Sequence, residues 1–107
     1  MMTTIEKVKR LEQYLGSYSS EVDPVIEMAV NKLLSRELER VRQLTKRLSM
    51  QLMKFEEQYA LQSAEFHKRY EHGEMGDSMD FVEWSATVEM LANAKKQMAF
   101  LEPEIEQ

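Results

Sequence analysis

Residues 26–59 read IEMAVNKLLSRELERVRQLTKRLSMQLMKFEEQY, and the spacing of their apolar side chains decides the fold. Leu34, Leu38, Val41, Leu48, Leu52, Phe55 and Tyr59 recur at steps of four and three, with Thr45 completing the register of a heptad seam on one long helix. Asp23 can accept from the orphan N–H groups of a first turn, and Pro24 loses no needed donor there, so the helix is predicted over 24–61. At about 1.5 Å per residue it is on the order of 55 Å long, against the ~26 Å breadth of a globular chain of this size. Pairing with a second copy, as a coiled-coil-like homodimer, is the economical way to bury the seam. Glu37 and Arg42 stand at flanking positions that attract across a parallel pair. Asn31 and Thr45 fall on the seam, where a polar side chain either fixes register or merely occupies the seam edge.

Ahead of the seam, residues 25–34 are apolar almost all round, the pattern of a helix enclosed by several neighbours. A first helix over 4–15 is its obvious cover: Thr3 or Thr4 can cap it, Ile5, Val8, Leu11 and Leu15 mark one face, and Gly16 is a stop signal opening a polar connector over 16–20. Beyond the seam, Ser63 is a good N-cap for a short helix over 64–72. No Gly or Pro interrupts 59–63, however, so a continuous helix to Glu71 stays open. Residues 73–78 form a tight connector whose two glycines permit positive φ. The last helix is predicted over 78–101, ending before Glu102-Pro103 because a residue preceding proline avoids helical geometry, and the tail from Glu102 reads as frayed. Phe81, Trp84, Val88, Leu91 and Met98 share one face, so this helix returns antiparallel along the second half of the long one. The expectation is one all-α domain, 1–107, with a long central helix, a short N-terminal helix and a C-terminal helical hairpin.

Composition narrows the function classes. The absence of cysteine removes disulfides, thiolate nucleophiles and thiolate metal sites together, and fits a reducing cytoplasm. No apolar run reaches the roughly 20 residues of a membrane span, so a soluble, cytoplasmic protein is expected. A net charge of −5 argues against a dedicated nucleic-acid binder. Glycine-rich phosphate loops and nucleophile–base pairs are lacking, so neither enzyme activity nor a cofactor is expected.

A run in the C-terminal half carries a resemblance. It comprises Lys54 to Tyr59, then Ser63-Ala64-Glu65-Phe66-His67-Lys68-Arg69-Tyr70-Glu71-His72-Gly73-Glu74-Met75-Gly76-Asp77, then Asp80-Phe81-Val82-Glu83-Trp84-Ser85 and Glu89-Met90. This run resembles a family of small prokaryotic helical proteins regarded as antitoxin-like components encoded beside a small toxin. The family pattern tends to place Tyr-Gly-Met before the serine, where this chain has Tyr59-Ala60-Leu61. The resemblance implies a non-enzymatic protein that sequesters a small partner toxin.

Several side chains have two readings. Trp84 with Phe81 and Val88, and Phe66 with Tyr70, either anchor a partner or form the buried face of the hairpin. Met50 and Met53 lie off the seam and need another helix of the chain or a bound partner, which makes them the best residue-level sign of a second contact surface. Lys32, Arg36, Arg40, Arg42, Lys46, Arg47 and Lys54 make the long helix locally basic, as a solvated flank or as a contact for an acidic partner or nucleic acid. His67 and Glu71 share a helical face, but two ligands do not close a zinc site, so no metal centre is expected. The alternatives to an antitoxin are a structural coiled-coil adaptor and, further off, a nucleic-acid-binding regulator.

Overall fold

The structure is a computed structural model that describes residues 1–18 and 23–103. Its described residues form four α-helices: α1 (Thr4–Tyr18), α2 (Pro24–Tyr59), α3 (Ser63–Glu71) and α4 (Met79–Leu101). The expected connector over 16–20 lies in part, and the tail beyond Pro103 wholly, outside the described residues. The chain divides into two compact units, Met1–Leu33 and Leu34–Gln107. None of the described helices is long and apolar enough to cross a membrane.

In the first unit, Thr3 Oγ1 accepts from the Glu6 N–H at 3.1 Å and starts α1. The helix does not stop at Gly16. It runs on to Tyr18, whose ring stacks one turn away on Tyr14 with centroids 6.0 Å apart. Asp23 Oδ1 accepts from the Val25 N–H at 2.8 Å, and Pro24 opens α2. The enclosure expected for residues 25–34 is not found. Val25 is 73% exposed and Leu33 59%, so α1 does not cover them.

In the second unit the seam is buried by the chain itself. Leu38, Val41, Leu48 and Phe55 are the buried residues of α2, while Leu34 at the seam's start stays exposed. Leu48 packs with Leu91 and Ala94 of α4, and Phe55 with Trp84, Leu52 and Tyr59 lying beside them. Facing residue numbers rise along α2 as they fall along α4, which is an antiparallel hairpin. A homodimer through this seam would compete with α4 for the same side chains. Its flanking charges are also engaged within the chain: Glu37 receives the Arg40 guanidinium at 2.8 Å, and Arg42 lies 4.0 Å from Glu102. The polar seam positions satisfy themselves locally, Thr45 donating to the Arg42 carbonyl at 2.8 Å and Asn31 to Glu27 at 3.4 Å.

Two turns set α3 in place. After α2, Ala60 takes a left-handed φ of 50° and the Leu61 N–H reaches back to the Glu56 carbonyl at 3.3 Å. After α3, Gly73 does the same with φ 73°, while Gly73 and Glu74 donate to the carbonyls of Tyr70 and Arg69. Both are glycine-type helix stops, but the first is built on alanine, which occupies that region at a cost of roughly 1–2 kcal/mol. At the end of α4, Glu102 is extended (ψ 137°) because Pro103 follows.

The sign of one substitution therefore tests the break. Ala60→Gly is expected to stabilise the protein by about 0.5–1 kcal/mol, raising the midpoint of a circular-dichroism melt by several degrees. In an unbroken helix the same change would destabilise by about 1 kcal/mol.

Candidate functional site

Where α2, α3 and α4 meet, the aromatic side chains form one cluster. Trp84 stacks on Phe66 with centroids 3.9 Å apart and planes 1° from parallel, and on Phe55 at 5.5 Å and 12°. Phe81 and Tyr59 tilt against each other at 5.1 Å, and Tyr70 closes on Phe66 at 5.5 Å. The indole N–H donates to Ser63 Oγ at 2.9 Å, while the Ser63 N–H donates to the Glu56 carboxylate at 2.8 Å. Ser63 thus does not cap α3 with its own hydroxyl; Glu56 satisfies the first N–H of that helix and frees the hydroxyl for the tryptophan.

This arrangement decides among the sequence-derived contact residues. Phe66 and Trp84 are fully buried and offer no surface to a partner. Tyr70, Phe81 and Val88 are half-buried and pack on the same cluster. The aromatic stripe is consumed by its own chain because three helices converge on it.

α3 covers only one flank of the α2–α4 hairpin. It reaches α2 through Ser63 and Glu56, and α4 through His67, whose Nε2 lies 3.8 Å from Glu89. On the other flank an open groove of about 620 Å³ runs along α2. Its lining comprises Gln43, Lys46, Arg47, Met50, Gln51, Lys54, the edge of Phe55, Gln58 and, from α4, Glu83. Gln51 donates to Glu83 at 2.7 Å and Gln58 to Asp80 at 3.4 Å, which fixes the groove's α4 edge. Met50 is more than half exposed here, whereas Met53, equally exposed, lies outside the groove. Among the described residues, Lys46, Arg47 and Lys54 have no carboxylate within ion-pair distance. The groove therefore combines an apolar thioether, neutral amides and three unneutralised cations.

Of this lining, Met50 and the basic residues were singled out from the sequence. Gln43, Gln51, Gln58 and Glu83 were missed. Their signal is a stripe of long amides, at positions 43, 51 and 58, beside the seam.

Tyr59 ties the cluster to the groove edge. Its hydroxyl donates to the Asp80 carboxylate, and this bond, helped by partial burial, pushes the phenol above its ordinary titration range. His67 gathers two carboxylates rather than the one expected, Glu71 at 3.5 Å and Glu89 at 3.8 Å. Glu89 comes from α4 and brings the donors to three, one short of a closed zinc site.

No family model matches the chain, and no curated protein or solved structure matches it either.

Two measurements check this site. Ser63→Ala strands the buried indole N–H and is expected to cost about 1–3 kcal/mol in urea unfolding, with helix content kept. In a spectrophotometric pH titration, Tyr59 is expected to ionise above the ordinary tyrosine range, and Tyr59→Phe should remove that step. Because the folded-state value is raised, the stabilisation it brings is present below the ordinary tyrosine range and is lost as pH rises through the folded value.

Proposed function

We propose that this protein is a non-catalytic binding protein whose α2–α4 groove receives an acidic helical segment of a small partner protein, in the manner of an antitoxin sequestering its toxin. The observation that carries this reading is the open flank of the hairpin, with three free cations around an exposed methionine. A hairpin with α3 on one side lacks only one more helix to form a four-helix bundle, and the stretch from Gln43 to Gln58 is about 22 Å long, enough for roughly four turns of a docked helix. Arg47 and Lys54 are one heptad apart, so carboxylates at matching spacing on the incoming helix meet both. A flexible thioether between them adapts to the apolar face of such a segment.

The toxin part of the reading comes from the resemblance of the run within residues 54–90. Those residues build the scaffold: Ser63, Phe66 and Trp84 form the core, and Gly73 and Gly76 take positive φ in the connector. The resemblance therefore argues for a shared fold, and recognition is assigned to the groove beside it.

Co-expression with the product of the adjacent reading frame, followed by pull-down and a growth assay, tests this. A stable complex that restores growth is expected. Lys46→Glu with Lys54→Glu should weaken the complex by at least about tenfold and flatten its salt dependence, and Met50→Asp should weaken it comparably. An indifferent growth phenotype and no complex defeat the proposal. Salt-sensitive retention on immobilised nucleic acid, lost in the same lysine variants, would assign the groove to nucleic acid instead.

A further inference from the structure

We infer that the N-terminal unit, residues 1–33, is a homodimerisation module in which α1 and the first turns of α2 pair with the same elements of a second copy. This inference stands apart from the groove and its partner.

α1 exposes Ile5, Val8, Leu11 and Tyr14, at 64%, 56%, 43% and 56%. The start of α2 exposes Val25, Met28, Val30 and Leu33, at 73%, 68%, 39% and 59%. At roughly 100 Å² apiece these side chains present on the order of 800 Å² of apolar surface. That total is comparable with the ~800 Å² each partner gives to a standard interface.

The distribution of this surface selects the occupant. At about 100° per residue, Val25, Met28, Val30 and Leu33 spread over an arc of about 200° on α2, wider than one packed helix covers, so at least two helices must lie against it. α1 of the same chain has a single stripe and can cover only one side. A second copy brings its own α1 and α2, and the four segments close a bundle in which each α2 has two neighbours. A two-fold interface needs a patch that is compatible with itself, and here the charges nearly cancel: Lys7, Lys9, Arg10 and Lys32 against Glu6, Glu12, Glu21, Asp23 and Glu27. A strongly charged partner would find no matching field on this unit. The stacked Tyr14–Tyr18 pair adds the residue type most enriched where protein interfaces are anchored.

The heptad seam needs no second chain, since α4 occupies it.

Light scattering of the full chain after size exclusion, from about 1 to 100 µM, tests the inference. Wild type is expected at twice the 12.6 kDa chain mass. Val8→Glu and Leu33→Glu should each raise the dissociation constant at least about tenfold, whereas Met50→Asp, in the groove, should leave it unchanged. Trp84 fluorescence serves as a fold control, because that residue lies in the other unit and should keep its buried emission in all variants. A wild-type monomer throughout this range overturns the inference. So does a dimer that survives both N-terminal substitutions or that is lost on Met50→Asp.

Discussion

The indole of Trp84 is the point on which the second unit depends. It is the chain's single tryptophan, it is fully buried, and its ring and N–H together engage all three helices of that unit. Phe55 brings α2 to it, Phe66 and Ser63 bring α3, and Trp84 itself fixes the depth of α4. Stacking alone would tolerate sliding of the rings. The hydrogen bond to Ser63 does not, because a buried indole N–H without an acceptor costs about 1–3 kcal/mol. Register is thus set by one polar contact inside an apolar cluster, and Glu56 keeps the acceptor available by attending to the serine's own N–H.

That asymmetry shapes the surface. With α3 fixed on one flank, the opposite flank of the hairpin is bare, and the side chains there are ones that coexist with solvent: amides, lysines, an arginine and a methionine. The same stretch of α2 is therefore a core element along one line and an adaptable, basic wall along another. Core and groove are separated by rotation around a helix axis and not by position along the chain.

The four helices were legible because their punctuation is chemical: Asp23-Pro24, Gly73, Ser78 and Glu102-Pro103 act through backbone rules that need no tertiary context. The seam was legible as a buried line. Its covering was not, since a period of 3.5 says that a face is hidden and leaves open whether α4 or a second chain hides it. Ser63 shows the same limit, because its capping chemistry is local while its actual donor, Trp84, is 21 residues away. Gly16 was misread because a lone glycine costs a helix only about 1 kcal/mol, which the helix accommodates as it continues to the Tyr14–Tyr18 stack. The groove could not be read, because its existence depends on which side α3 folds to. The apolar wrapping of residues 25–34 was read from the pattern, but the helix meant to enclose it does not.

The separation between Ser63 and Trp84 also bears on how the hairpin comes together in time. Their contact closes a short loop that already contains α3 and the Gly73–Gly76 connector, and Phe66 with Phe81 closes a shorter one still, so these contacts carry less closure entropy than those of Phe55 and Leu48 with α4. Each later pair, Phe55 with Trp84 and then Leu48 with Leu91, encloses a longer loop but adds only a small logarithmic increment. The chain can therefore zip from the α3–α4 corner outward along α2, with the aromatic cluster as nucleus and the Leu38–Val41 end as the last to dock. A fold assembled in this order keeps its contacts local for as long as its topology allows, which is the condition for rapid folding.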